Sequence, residues 1–231
     1  MKTKKVKKIE SKHIYEKIYE YKNMDAVKRF FSFETERAEN SFKVYNIIKE
    51  DFSKLNFMKI LDYEKIEFSP MSIKTKLITE DIDKTYHGHY EHFFDYLAKS
   101  GDKEKILYAI NRWSEVEKNF IKKGYYYLDF HLGNIMIDKN KSDKRYVIID
   151  FDEMIKDPLF FRKKLFTRKS VRSFEVSIKL LLMQTNFSYK DKVEILQKIK
   201  DIKSFYNVKS RQEDLEQTKM ILKNRSFEDM F

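Results

Sequence analysis

The sequence predicts an α+β fold of two lobes: a small antiparallel β-sheet lobe over residues 1–79 and a mainly helical lobe over residues 80–231. Three observations carry this. Short runs of alternating polar and apolar residues fill the first third of the chain. From residue 103 onward, apolar residues recur instead at helical spacing. Between the longest of these helical stretches and the rest, residues 124–153 interrupt the pattern with two short β-branched runs around a charged turn. No internal repeat, low-complexity tract or Pro/Gly linker separates the lobes, which predicts one functional domain.

Taken in order, residues 1–8 hold five lysines and are expected to be a solvated, frayed end. Residues 6–31 alternate as three antiparallel strands, with turns near Ser11-Lys12-His13 and Lys22-Asn23. Ala38, Phe42 and Tyr45 then recur at helical spacing, with Ile48 beside them, and predict a helix over 33–51. Two more strands, over 57–65 and 72–79, complete a five-stranded sheet. Residues 77–82 lead out of it. The segment Tyr86-His87-Gly88-His89-Tyr90-Glu91-His92 gathers imidazoles, but no cysteine or tight carboxylate set completes a zinc site, so a surface or substrate-side segment is the reading. Ile106, Ile110, Trp113, Val116 and Phe120 form one stripe of a helix over 103–123, which Gly124 ends. Trp113 is read as packing. Residues 134–137 and 146–149 are the strands of the hairpin. A turn at Pro158 precedes a helix over 171–183, and amphipathic helices over 189–203 and 209–224 close the chain.

The 231 residues include 20 Phe and 15 Tyr, enough for a real core, while 37% charged residues argue against a membrane-embedded chain. No run approaches the roughly 20 apolar residues of a membrane span, and no apolar segment follows the Lys-rich start as in a secretory signal. With no cysteine, a disulfide framework and Cys-ligated zinc are excluded. A cytoplasmic protein is expected. A net charge of +11 points to an anionic partner: a nucleic acid, an acidic membrane face or a phosphorylated substrate. No helix-turn-helix, zinc module or RNA-binding motif is visible, so dedicated nucleic-acid binding is not expected.

The chemistry sits at the ends of the hairpin strands. Asp129 precedes the first strand and lies five residues before Asn134; Asp150 follows the second. Phosphoryl transfer needs a carboxylate to take a hydroxyl proton and oxygen ligands to hold Mg²⁺ against a nucleotide. Mg²⁺ takes only one or two protein oxygens beside water and phosphate. Asp129 reads as the base, and Asn134 and Asp150 as the metal ligands. Singly, each is as well explained as a turn former. Three in this order around such a hairpin favour the functional reading.

These residues resemble the protein-kinase-like superfamily, and more closely its small bacterial branch of lipopolysaccharide core kinases, the Kdo and heptose kinases. Asp129-Phe-His131-Leu-Gly133-Asn134 is similar to the D-x-H-x-G-N loop of heptose kinases and of aminoglycoside- and choline-kinase-like enzymes. Ile149-Asp150-Phe151-Asp152 resembles the I-D-F-D of Kdo kinases. The sequence departs from the pattern at Tyr127, where the family has a loop-orienting histidine. It also has no glycine before Gly88, so the turn at Ser11-Lys12-His13 would have to cover the nucleotide without glycine's freedom. Sugar and small-molecule kinases of the superfamily often lack those glycines too.

The resemblance implies a two-lobed kinase-like fold that uses ATP and Mg²⁺ to phosphorylate a sugar hydroxyl of a lipopolysaccharide core or Kdo-lipid A acceptor. Ala26-Val27-Lys28 is similar to the strand whose lysine contacts the ATP phosphates. Its glutamate partner is Glu34, which continues the apolar face of the first helix, or Glu39, which lies further into it. Backbone groups near Glu80 and Ile82 are expected to hold adenine. His131 and Asp152 are expected on the acceptor side. Residues 156–179 hold eight Lys or Arg against two acids, and Arg168-Lys169-Ser-Val-Arg172-Ser resembles the basic stretch that follows I-D-F-D in Kdo kinases. Arg168, Lys169 and Arg172 are thus expected to meet an anionic glycolipid and the inner face of an anionic membrane. The second reading is a small-molecule or compact protein kinase, or a non-catalytic pseudokinase. The set Lys28, Asp129, Asn134 and Asp150 speaks against the last.

Overall fold

The computed structural model describes residues 2–9, 14–22, 37–68, 72–82, 90–139, 145–150, 153–158 and 160–223. In chain order the elements are β1 (Lys2–Ile9), β2 (Ile14–Lys22), α1 (Arg37–Asp51), β3 (Asn56–Phe57), β4 (Ile60–Phe68), β5 (Ser72–Glu80), β6 (Tyr90–His92), α2 (Phe93–Ser100), α3 (Lys103–Lys122), β7 (Tyr125–Tyr127), a 3₁₀ turn (Leu132–Asn134), β8 (Ile135–Asp138), β9 (Tyr146–Ile148), β10 (Met154–Lys156), α4 (Phe160–Met183), α5 (Tyr189–Phe205) and α6 (Gln212–Leu222). They form two compact units, Met1–Tyr90 with Ile137–Ile155, and Glu91–Met136 with Lys156–Phe231.

The first unit is built on an antiparallel sheet of order β1-β2-β5-β4. In β5 the side chains obey the two-residue period of a strand: Ile73, Thr75, Leu77 and Thr79 are buried, and Lys74, Lys76 and Ile78 half-buried. Helix α1 packs on β4 and β5, with Ala38, Ser41, Val44 and Ile48 buried along one face at helical spacing. Phe42 of that helix meets Tyr63 of β4 with ring centroids 5.4 Å apart. The short β3 pairs parallel to β9 through Asn56↔Val147 and Phe57↔Ile148, which brings the second hairpin strand into this unit.

One expectation for this sheet is corrected. Residues 2–8 are not a frayed end: they lie in β1, paired with β2 from Lys2↔Tyr21 to Ile9↔Ile14. Among the described strands β1 stands at one end of the sheet. In addition, β2 pairs with β5 along its whole length, Ile14↔Glu80 to Lys22↔Ser72. The place beside β5 is therefore filled by residues 14–22. Residues 26–31 themselves are outside the described residues.

The second unit centres on α3. Asp102 caps it by accepting from the amides of Glu104 (3.0 Å) and Lys105 (3.2 Å). Those hydrogen bonds hold the Asp102 carboxyl below its ordinary range. Gly124 follows its end with φ 82°, a left-handed backbone that favours glycine, and a Cβ there would also meet the Asp157 carboxylate. Trp113 is 1% exposed and Phe120 is equally buried, as packing residues should be. Both rings meet Phe130, at 6.5 and 6.4 Å between centroids, and Phe174 of α4 stacks on it at 5.5 Å.

Helix α4 runs 24 residues from Phe160, eleven earlier than the expected start at 171. No Gly or Pro interrupts 160–183, and Leu, Lys and Arg dominate its first turns, so nothing stops the helix there. The basic stretch is consequently helical. Helix α2, over residues with no predicted element, is short and strongly one-sided, burying Phe93 and Leu97. Helices α4, α5 and α6 share a buried ion network. Glu175 bonds Lys179 (2.7 Å) and Lys203 (2.6 Å), and Lys203 also meets Asp214 (3.2 Å). Every charge in it is matched, which is what makes burial of four ionised groups tolerable.

Candidate active site

Strand β7 delivers the chain to Asp129, and the 3₁₀ turn carries it to Asn134. Asn134 was expected to open the strand; it ends the turn instead, 6% exposed. There its Nδ2 donates to the Asp129 carbonyl at 2.9 Å and reaches Asp129 Oδ2 at 3.4 Å. The five-residue spacing is thus the span of a closed loop. The Asp129 side chain is 45% exposed, and His131 Nε2 stands 3.6 Å from its Oδ2. From α4, Ser173 Oγ donates to Asp129 Oδ1 at 3.2 Å, and the Leu132 amide reaches Ser177 Oγ at 3.4 Å.

Beneath the loop, Phe130 is fully buried, and Tyr127, 2% exposed, holds its ring 5.7 Å from that of Phe130. Tyr127 therefore anchors the loop by apolar packing. A histidine does meet the loop from another element: His92 Nδ1 lies 2.6 Å from the Gly133 carbonyl. A carbonyl only accepts, so His92 donates and its Nδ1 carries a proton.

In the first unit, β9 ends on buried Val147 and Ile148, and two residues on Asp150 has φ 54°. A non-glycine residue in the left-handed region is held at a cost of order 1–3 kcal/mol, which surrounding structure must sustain. The Asp150 carboxylate forms an ion pair with Lys17 Nζ of β2, whose side chain is 12% exposed.

Lys17 is the residue sequence reasoning missed. Its signal was there: Tyr15, Lys17 and Tyr19 share one face of β2, and Tyr19 is fully buried. A lysine on the inward face of a strand is a costly placement that a partner must offset. The resemblance of Ala26-Val27-Lys28 to a nucleotide-binding strand drew attention away from it.

The other expected residues divide. Lys28, Glu34 and Asp152 lie outside the described residues, as do residues 11–13. Glu39 is described, but its partners are Lys43 at 2.7 Å and Lys65 at 2.6 Å. Those two side-chain bonds hold its carboxyl below the ordinary range. The Glu80 amide donates to Lys59 O at 3.0 Å and its Oε1 accepts from Lys59 N at 2.7 Å, so its amide is used within the first unit. Ile82 is buried two residues on. Arg168, Lys169 and Arg172 all lie on α4, and Arg172 Nη2 donates to Lys209 O at 3.3 Å.

Among the described residues no group of three or more His, Cys, Asp or Glu could hold a metal ion, so a cation here would be held by amide and single carboxylate oxygens. Asn134 fits that part. Its Nδ2 is committed to Asp129, which assigns Oδ1 as the atom able to act as a ligand. Asp150, in the first unit, offers a carboxylate, which is paired with Lys17.

No protein-family model matches the sequence, and no curated protein matches it. Solved structures do. "WaaP in complex with acyl carrier protein" is 9% identical, with a TM-score of 0.54 over 96% of this chain and 84% of the other. At that identity the likeness speaks for architecture alone, and with the α+β arrangement of small antiparallel sheets and helices it assigns this chain the two-lobed, protein-kinase-like fold.

Proposed function

We propose that this protein is an ATP- and Mg²⁺-dependent phosphotransferase acting on an alcohol, with a sugar hydroxyl of a phosphorylated lipopolysaccharide-core-type glycolipid as acceptor. The observation that carries this reading is the pair of hydrogen bonds from Asn134 Nδ2 to the Asp129 carbonyl and carboxylate. They make the D-x-x-x-x-N spacing a closed loop that presents a half-exposed carboxylate beside an amide oxygen.

Asp129 is the proton acceptor: exposure lets an incoming hydroxyl reach it, and the bonds from Asn134 and Ser173 aim it. Asn134 Oδ1 and the Asp150 carboxylate would hold Mg²⁺, and Lys17 would meet the nucleotide phosphates. Bound Mg²⁺-ATP supplies the phosphoryl group and neutralises its charge. Backbone groups from Glu80 to Ile82 are the adenine contacts in this reading, with the Glu80 carbonyl rather than its amide taking part. His131, 3.6 Å from Asp129, belongs to the acceptor side.

The acceptor class rests on α4. Arg162, Lys163, Lys164, Arg168, Lys169 and Arg172 fall within eleven residues that contain no acid, and Leu165 among them is 60% exposed. Guanidinium groups bind phosphate through a planar fork of donors, and lysines add charge. Such a surface suits a phosphorylated glycolipid in an anionic leaflet, approached from one side of the membrane. No helix among the described residues is long and apolar enough to cross it.

The test pairs two experiments. Asp129→Asn should abolish transfer while leaving Mg²⁺-ATP binding within about two-fold; unchanged turnover refutes the role. Arg168→Glu with Arg172→Glu, assayed on a lipid A-linked Kdo acceptor beside a soluble aminoglycoside, should lose the glycolipid activity selectively. Wild-type transfer to the glycolipid after both reversals sinks the acceptor assignment. Turnover of the soluble acceptor alone moves the protein to the small-molecule kinases.

A further inference from the structure

Helix α4 carries hydroxyls on Thr167, Ser170, Ser173 and Ser177, with Thr185 just beyond its end. Most satisfy themselves locally, as helical Ser and Thr usually do. Thr167 donates to Lys163 O at 3.0 Å, Ser177 to Phe174 O at 2.8 Å, and Thr185 to Leu181 O at 3.1 Å. Ser170 and Ser173 differ: each donates across to a carboxylate on another element, Ser170 to Glu117 and Ser173 to Asp129.

The two bonds are not equivalent. Glu117 is buried, and its hydroxyl partner satisfies a core group. Asp129 is half-exposed, in a loop whose backbone Asn134 already closes. The hydroxyl of Ser173 is therefore unnecessary for burying Asp129. What it does is separate the two carboxylate oxygens: Oδ1 is engaged by Ser173 at 3.2 Å, while Oδ2 is turned to Asn134 and His131 at 3.4 and 3.6 Å. A carboxylate rotates readily about its last torsion, which is broad and roughly two-fold. A single donor on one oxygen removes that freedom.

Taking Asp129 as the proton acceptor, we infer that Ser173 is a positioning residue for the transfer step: it fixes the Asp129 carboxylate so that Oδ2, on the side of His131, is the oxygen that receives the acceptor's proton. A base must stand within hydrogen-bond reach of the proton it removes, and geometry comes before basicity. Ser173 moves no proton itself. Its single hydroxyl hydrogen stays on Oγ throughout, and the proton leaving the acceptor ends on Asp129 Oδ2. The same helix holds the loop backbone through Ser177 and the Leu132 amide, so it sets both the height of the loop and the rotation of its carboxylate.

The experiment compares full-length wild type, Ser173→Ala, Ser173→Thr and Asp129→Asn. Steady-state turnover of Mg²⁺-ATP is measured with and without a sugar acceptor, and a crystal structure of Ser173→Ala is determined. Loss of a hydrogen bond to a charged group predicts about a ten-fold fall in kcat for Ser173→Ala. KM for ATP should stay within about two-fold, and Ser173→Thr, which keeps the hydroxyl, should recover most of the rate. In the alanine variant the Asp129 carboxylate should be rotated or present in two orientations. Wild-type kcat in Ser173→Ala, an equal loss in Ser173→Thr, or an unmoved carboxylate each overturn the inference. If the wild type consumes no ATP, the kinase reading fails, and the carboxylate orientation alone then decides whether Ser173 positions Asp129.

Discussion

Ser170 Oγ of α4 donates to Glu117 Oε1 of α3 at 2.6 Å, inside a core where Glu117 is 1% exposed. Burial pushes the Glu117 carboxyl up to about 7, and the Ser170 hydroxyl offsets only part of that. Among the described residues its Oε2 has no hydrogen-bond partner, so burial favours the protonated carboxyl. Tyr206, half-buried, has its hydroxyl held above the ordinary range by burial and by the neighbouring carboxyl groups Glu117 and Glu115.

The stability of the protein should therefore fall as pH rises. The unfolded glutamate loses its proton near pH 4.5, while the folded one keeps it to about pH 7. Between those values the folded state binds more protons than the unfolded state, so each step upward in pH costs stability. The loss is complete above pH 7 and is of order 3 kcal/mol. Urea unfolding from pH 5 to 8 should show this decline, and Glu117→Gln should flatten it. An unchanged slope in the glutamine variant would show that another group is responsible.

Nucleotide binding should depend more strongly on Lys17 than on Lys28, which lies outside the described residues. Lys17 reaches Asp150 from the strand that fills the place beside β5. Its replacement by alanine leaves the Asp150 carboxylate without that cation and removes a phosphate contact. Calorimetric titration with Mg²⁺-ATP should show a loss of ten-fold or more for Lys17→Ala, about 1.4 kcal/mol, and less than about two-fold for Lys28→Ala. The reverse order would restore Lys28 to the role its sequence context suggested.

Phe130→Ala should unfold the loop's support before it touches the chemistry. The ring is fully buried among Trp113, Phe120, Tyr127 and Phe174. Truncation to alanine in such a setting costs about 3–5 kcal/mol through lost burial and the cavity left behind. Thermal unfolding should show a large drop in Tm, with a rate loss that follows the fraction folded at each temperature. A stable Phe130→Ala variant would mean that neighbouring rings collapse into the gap.

Where the chain's own neighbours decide structure, the sequence was legible. The stripe Ile106, Ile110, Trp113 and Phe120 marked α3, Gly124 marked its end, and β-branched runs marked β8 and β9. Asp129, Asn134 and Asp150 could be singled out because a loop and a hairpin place them within a few residues of regular elements. Helix α2 was missed because eight residues following a histidine-rich segment offer little periodicity to read. The start of α4 was set too late because a run of cations reads as solvated chain, although a helix exposes those side chains equally well.

By itself the sequence determined the α+β character, the order of elements and the motif residues, since these follow from periods of two and 3.6 residues and from short-range turn chemistry. Only the tertiary structure decided which partner each charged group took. Lys17 stands beside Asp150, Glu39 pairs with Lys43 and Lys65, and Ser173, 44 residues away, bonds Asp129. The physical reason is that a lysine or serine has the same local signature whether it faces water or a buried carboxylate. The difference lies in the strand register between β2 and β5 and in the placement of α4 over its loop, neither of which is encoded within reach of a single turn.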